Sequence, residues 1–218
     1  MKNMDTKAYD TYLFDLDGTL LDTIGDLAAS CNHALAGAGL PQKTTGQILL
    51  SVGNGFSRLI ELIVPGGKGN RKFQQVYDSF AEHYAAHGLD TTQPYPGVER
   101  LLRNLKAAGK RIAVVSNKRA DATESLCRHF FGDTVEVAIG ETADIRRKPA
   151  PDTVEEALRR LGAGKEGAVY IGDSEVDVAT AKAAGLPCIS VLWGFRTKET
   201  LLQHGADTFV SSPDEIAP

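Results

Sequence analysis

In the second half of the chain, short apolar runs alternate with helical stripes, and this rhythm restricts the fold more than any other feature. Val98, Leu101, Leu102 and Leu105 recur at helical spacing before Gly109, and the compact apolar run 112–115 follows. Helices near 121–130, 152–161 and 175–184 then alternate with apolar strands over 135–139, 168–171 and 189–192. Parallel strands need crossover connections, which are usually helices, so the alternation predicts a parallel sheet covered on both faces.

The first half reads differently. Tyr12, Leu13 and Phe14 form a short buried strand ending in Asp15, and a helical stripe of Ile24, Leu27, Cys31 and Leu35 follows Asp22 and Thr23, either of which suits an N-cap. Gly37, Gly39 and Pro41 stop that helix. Residues 44–88 show no strand pattern. Ile48, Leu49, Leu59, Leu62 and Ile63 suggest short helices about the turn Gly53-Asn54-Gly55, and Phe73, Val76, Tyr77, Phe80 and Tyr84 mark a longer amphipathic one. The strand at Tyr12 has no partner in this segment and must join the later sheet. The expected organisation is therefore an α/β, Rossmann-like parallel sheet interrupted by a helical insertion. Residues 1–20 hold the first strand and its loop, 21–90 the insertion, and 91–218 the remainder of the core.

Composition sets the outer limits. With 218 residues, 24 Lys+Arg, 28 Asp+Glu and 42% hydrophobic residues, the chain can bury a sizeable core at a mild net charge of −4. No basic tract or aromatic-interleaved Lys/Arg stripe points to nucleic acid. No apolar run reaches membrane-spanning length and the first residues lack the apolar region of a signal peptide, so a cytoplasmic setting is the expectation. Cys31, Cys127 and Cys188 form no CxxC pair and read as small buried hydrophobes.

In open parallel sheets, ligands bind beyond the carboxyl ends of the strands. The segments expected there are Asp15-Leu16-Asp17-Gly18-Thr19, Ser116-Asn117-Lys118, the loop carrying Lys148 before Pro149, and Gly172-Asp173-Ser174 with Asp177 close behind. Carboxylates, a hydroxyl, an amide and an ammonium group thus converge on one edge. The run F-D-L-D-G-T-L-L-D-T at 14–23 resembles the first motif of the haloacid dehalogenase-like phosphatase superfamily. V-V-S-N-K at 114–118, K-P at Lys148-Pro149 and G-D-S-E-V-D at 172–177 match its later motifs in order. The helical insertion is similar to the superfamily's C1-type cap, and V-G-N-G at 52–55 is similar to a cap turn of phosphoglycolate phosphatase-like members.

The resemblance implies a phosphatase for a small phosphorylated metabolite, working through an aspartyl-phosphate. It implies Asp15 as nucleophile, Asp17 as general acid and then base, and Lys148 as the cation that balances charge between nucleophile and phosphoryl group. Gly18, Thr19, Ser116 and Asn117 would contact the phosphoryl group. Mg²⁺ would be held by Asp15, the backbone carbonyl of Asp17, and Asp173. Asp177 is either a ligand or a residue that orients one, and Arg58 is either a contact to a substrate carboxylate or a surface arginine on a short helix. Asp22 is read as an N-cap or a hinge. A phosphomutase resembling β-phosphoglucomutase is the alternative reaction, and a non-catalytic binding protein on the same scaffold is the alternative class; either a monomer or a homodimer is compatible. Two local patterns carry no chemistry. Residues 65–70 lack the spacing of a P-loop, and His83 with His87 lacks the Glu of an HExxH site.

Overall fold

The computed structural model describes residues 9–216. In chain order the elements are β1 (Thr11–Phe14), β2 (Leu21–Asp22), α1 (Ile24–Gly37), α2 (Thr45–Leu49), α3 (Gly55–Ile63), α4 (Phe73–His87), β3 (Gln93–Pro94) and α5 (Val98–Ala107). They continue with β4 (Arg111–Arg119), α6 (Ala120–Phe131), β5 (Val137–Glu141), α7 (Asp152–Leu161) and β6 (Ala168–Gly172). The last are α8 (Glu175–Ala184), β7 (Cys188–Val191), α9 (Lys198–Gln203) and β8 (Phe209–Val210). The chain forms two compact units, one of Met1–Leu20 with Pro94–Pro218 and one of Leu21–Gln93.

The first unit is built on a six-stranded sheet in the order β5-β4-β1-β6-β7-β8, with every pairing parallel. Its central strands, β1 and β6, are buried along their whole length because helices cover both faces, which is why they read as unbroken apolar runs. Leu13, Val115, Ile139 and Tyr170 from the sheet pack with Val154, Leu158 and Leu161 of α7 and Ala181 and Ala184 of α8. The crossover helices end where their sequences dictate: α7 and α8 each close on a left-handed glycine, Gly162 and Gly185.

The second unit is helical, with β2 and β3 as its short two-stranded pairing. Leu27, Cys31, Ala34 and Leu35 of α1, Phe56, Leu59, Ile60 and Ile63 of α3, and Val76, Phe80 and Tyr84 of α4 are buried. Phe56 meets Phe80 edge to face with centroids 4.9 Å apart, and Tyr84 at 5.4 Å. Asp26, in the first turn of α1, ties the end of the unit to its beginning. Its carboxylate accepts from the Thr91 backbone at 2.9 and 3.1 Å, the Thr91 hydroxyl at 2.6 Å and the Thr92 backbone at 2.8 Å.

Several boundaries differ from the periodic reading. β4 runs to Arg119 instead of stopping at Val115, because its pairing with β5 shifts register between Val115 and Arg119 and resumes at Arg119 opposite Glu141. β5 lies two residues later than its apolar run, and α9, β2, β3 and β8 are too short to carry a periodic signal. Thr23, not Asp22, is the N-cap of α1, and Asp22 Oδ1 accepts from the Ile24 backbone at 3.4 Å. All three cysteines are free, and burial pushes each thiol up to about 12, which suits packing better than reactivity. No helix among the described residues is long and apolar enough to cross a membrane.

Candidate active site

The carboxyl ends of β1, β4 and β6 are neighbours in the sheet, so the loops after them meet at one edge. Asp15 directly follows β1, and its backbone N–H still pairs with Ile171 of β6 at 2.9 Å, which anchors the residue to the sheet. Its Oδ1 accepts from the Leu16 backbone at 2.7 Å and lies 2.8 Å from Lys148 Nζ.

Lys148 is almost completely buried, at 2% exposure, and its ammonium also lies 2.8 Å from Asp177 Oδ1 and 3.1 Å from the Tyr170 hydroxyl. The peptide bond between it and Pro149 is cis. Asn117 Nδ2 donates to the Lys148 carbonyl at 3.0 Å, which fixes the loop that carries the lysine. Burial alone would strip the proton from this amine, but Asp15 and Asp177 outweigh it and hold its pKa well above the ordinary value.

Asp177 uses both oxygens. Oδ1 accepts from Lys148 and from Tyr170 at 3.1 Å, while Oδ2 accepts from the Ser174 backbone at 3.0 Å and the Ser174 hydroxyl at 2.6 Å. Ser174 and Asp177 close a reciprocal capping box at the start of α8. Burial raises its carboxyl, yet Lys148 and these donors bring it below the ordinary value. Both of its oxygens are thus engaged, by Lys148 and Tyr170 on one side and by Ser174 on the other.

Asp173 follows β6. Its Oδ1 accepts from the Thr19 hydroxyl at 2.9 Å and its Oδ2 from the Phe195 backbone at 2.8 Å. Thr19 is fully buried, and its hydroxyl is engaged by the Asp173 carboxylate. Gly18 has φ +87°, and a Cβ there would fall 2.4 Å from Asp173 Oδ2. Gly194 is equally constrained, since its Cβ would sit 2.3 Å from both Asp173 Cβ and the Gly18 carbonyl. Two glycines thus let the loops after β1 and β7 close on Asp173.

Charge at this edge is unbalanced. Asp15, Asp173 and Asp177 each bring a ligand atom within 4.8 Å of the others. Burial holds the Asp15 carboxyl well above its ordinary value, and burial with the Asp177 charge pushes Asp173 up to about 7. Buried carboxylates that resist ionisation, with a hard oxygen donor set, fit a divalent cation. Asp15, Asp173 and Asp177 are the side chains that could hold it.

Asp17 is held separately. Lys118 Nζ reaches its two oxygens at 2.8 and 2.9 Å. Ser116 and Asn117 are buried within the shifted end of β4, and Ser116 Oγ accepts from the Lys118 backbone at 3.2 Å. They do not cap α6, whose N-cap is Arg119. Arg58 lies on α3 in the helical unit, 45% exposed and paired with Glu61 at 3.0 Å. His83 and His87 stack with centroids 4.4 Å apart, and the His33 ring lies tilted against His83 at 4.1 Å. Residues 65–70 form a turn between α3 and α4, closed by Asn70 Nδ2 on the Pro65 carbonyl at 2.8 Å.

The motif reading assigned no role to Lys118, Tyr170, Gly194 or Phe195. A tyrosine inside an apolar strand signals a hydroxyl that needs a buried partner, and Ser174 three residues before Asp177 is a capping pattern. Nothing local marks Phe195, whose contribution is a backbone N–H.

Beyond the strand ends of this parallel sheet, a buried lysine therefore sits within a cluster of three carboxylates. The model of the haloacid dehalogenase-like hydrolases matches residues 12–191, and the chain belongs to that family. It is 36% identical over 191 residues to a phosphoglycolate phosphatase of Cereibacter sphaeroides, covering 84% of this chain and 85% of that protein. A phosphoglycolate phosphatase of Xylella fastidiosa is 34% identical over 206 residues, covering 93% and 89%. The structure of a candidate phosphoglycolate phosphatase from Lactobacillus delbrueckii subsp. bulgaricus superposes with a TM-score of 0.89 at 34% identity, covering 96% and 97%. The chain is accordingly a phosphoric monoester hydrolase.

Proposed function

We propose that the protein hydrolyses a small phosphomonoester, with 2-phosphoglycolate the first substrate to test, through an aspartyl-phosphate on Asp15. The observation that carries this reading is the 2.8 Å contact between Asp15 and the buried Lys148. A carboxylate tied to the end of β1 and fixed by Leu16 N–H and Lys148 is aimed without rotational freedom. The Asp15 carboxylate attacks phosphorus, the bond to the leaving oxygen breaks, and Asp17 protonates that oxygen to release the alcohol. Asp17 then takes a proton from water, which attacks the same phosphorus and breaks the bond to Asp15, releasing inorganic phosphate. Lys148 balances the negative charge that accumulates in both steps. Ser116 and the Asn117 backbone would hold a phosphoryl oxygen, with the Gly18 turn giving the group close access to the backbone.

The cation is proposed to be Mg²⁺, held by Asp15, the Asp17 carbonyl and Asp173, with Asp177 and Thr19 orienting these groups. When bound, it supplies charge cancellation between two anions. Arg58 is proposed to meet the carboxylate of the substrate, and the helical unit, Leu21–Gln93, to act as a cap. The three free thiols suit a reducing, cytoplasmic compartment.

The test is a phosphoester panel with Mg²⁺, ranked by kcat/KM with released phosphate measured directly. EDTA and Asp15→Asn are each expected to abolish release. Equal activity in Asp15→Asn and wild type would end the mechanism. Conversion of a sugar 1-phosphate to its 6-phosphate without free phosphate would redirect it to a mutase. Binding of Mg²⁺ at 100 times its Kd should also stabilise the wild type by about 2.7 kcal/mol in unfolding experiments. Asp173→Asn should lose that increment.

A further inference from the structure

The two buried lysines of this edge serve different carboxylates. Lys148 lies against Asp15 and Asp177, whereas Lys118 takes Asp17 with both oxygens in reach. The Lys118 side chain is 1% exposed and that of Asp17 is 14% exposed, so the pair is largely withdrawn from water. Such a contact is directional: an ammonium between both oxygens of a carboxylate selects one side-chain orientation from the several that a short, partly exposed aspartate otherwise samples.

The backbone of Lys118 is itself fixed. Its N–H donates to Ser116 Oγ at 3.2 Å, and the buried Thr123 hydroxyl of α6 donates to the adjoining Arg119 carbonyl at 2.9 Å. The register shift between Val115 and Arg119 keeps this stretch in the strand, and irregularities of this kind re-aim side chains. A regular end to β4 at Val115 would leave Lys118 in a loop.

We infer that Lys118 is a positioning residue for the leaving-group step: keeping one of its two contacts to Asp17, it aims the carboxyl group whose other oxygen carries the proton for the departing oxygen. The inference rests on the proposed role of Asp17 as acid and base. General acid catalysis is worth about 10²–10⁴-fold, and a misplacement near 1 Å can forfeit about 10²-fold. The benefit depends on the leaving group. An alkoxide must be protonated as it departs, whereas a 4-nitrophenolate leaves without help. A lysine needed only for packing or overall charge would affect both substrates alike.

The experiment compares kcat/KM for 2-phosphoglycolate and for 4-nitrophenyl phosphate in wild type, Asp17→Asn, Lys118→Met, Lys118→Gln and Lys118→Arg, all with Mg²⁺. This ratio reports the steps up to phosphoenzyme formation, so the later hydrolysis does not obscure it. Asp17→Asn should lower the alkyl substrate about 10²-fold or more while lowering the aryl substrate about 10-fold or less. Lys118→Met and Lys118→Gln should shift the alkyl-to-aryl ratio in the same direction by at least about 10-fold, and Lys118→Arg should recover part of it. Equal losses on both substrates in the Met and Gln variants would overturn the positioning role. An unchanged ratio in Asp17→Asn would instead overturn the acid assignment beneath it. Thermal melts identify which variants are folded. Should neither neutral variant fold, the Arg variant decides, because a shifted ratio supports the role and an unchanged one with uniform loss refutes it.

Discussion

Replacing Lys148 with methionine removes the one ammonium group that Asp15 and Asp177 share, while keeping an unbranched side chain of similar length. Both contacts are 2.8 Å long and the lysine is 2% exposed, so water cannot replace the lost charge. Breaking a buried ion pair by removing one partner costs about 3–5 kcal/mol. Asp177 keeps its two donors from Ser174 and the one from Tyr170, which places the expected loss near 3 kcal/mol at neutral pH. With a urea m-value of about 2–3 kcal/mol/M, the unfolding midpoint falls by about 1–1.5 M. The difference has a definite pH dependence. The folded-state pKa of Lys148 is raised, so its contribution is fully present below the unfolded value near 10.4 and is lost only as pH climbs through the folded value. In the variant, burial keeps the Asp15 carboxyl above its unfolded value of about 3.9 with no cation left to offset it. Its penalty therefore operates at neutral pH and fades as acid protonates it. Urea melts in EDTA at pH 7 and pH 5 read both effects. Coincident midpoints at pH 7, or a gap that fails to narrow at pH 5, would refute the assignment of Lys148 as the buried counter-charge. Turnover should fall about 10²–10³-fold in the same variant.

Gly194→Ala is expected to destabilise by about 1–3 kcal/mol and to weaken Mg²⁺ binding, because its methyl group meets the Gly18 carbonyl and Asp173 at 2.3 Å. Isothermal titration with Mg²⁺ and a thermal melt check the two effects. Asp26→Asn should cost about 1.5–3 kcal/mol at pH 7 by removing a charged acceptor of hydrogen bonds from Thr91 and Thr92. Burial raises the Asp26 carboxyl, but those donors more than offset it and leave its pKa below the ordinary value. Its contribution is thus present above pH 3.9 or so and disappears as pH falls through the folded value, so the two melting curves should converge in acid.

The strands that lie deepest were legible because burial on both faces forces an unbroken apolar run, as in Tyr12-Leu13-Phe14 and in 168–171. The crossover helices α7 and α8 were legible to the residue because their apolar faces and terminal glycines agree. Two-residue strands such as β8 contain too few side chains for any period, and their pairing depends on what the neighbouring strand offers. The polar end of β4 reads as loop from composition, since Ser116, Asn117, Lys118 and Arg119 have no apolar member. Only its pairing with β5 makes it strand.

The candidate site divides in the same way. By itself the sequence determined the order of the parallel elements and the chemical groups delivered to their ends: Asp15 and Asp17, Ser116 and Asn117, Lys148, and Asp173. Those are consequences of local pattern and of residue type at strand termini. Tertiary structure alone decided which group each of them serves. Thr19 meets Asp173 across 154 residues, Lys118 meets Asp17 across 101, and Lys148 meets Asp177 across 29. Hydrogen bonds and ion pairs act over about 3 Å, so such partnerships exist only after the sheet has set its strand order and register. For that reason the contacts of Thr19 with Asp173 and of Lys118 with Asp17 are not legible in the chain itself.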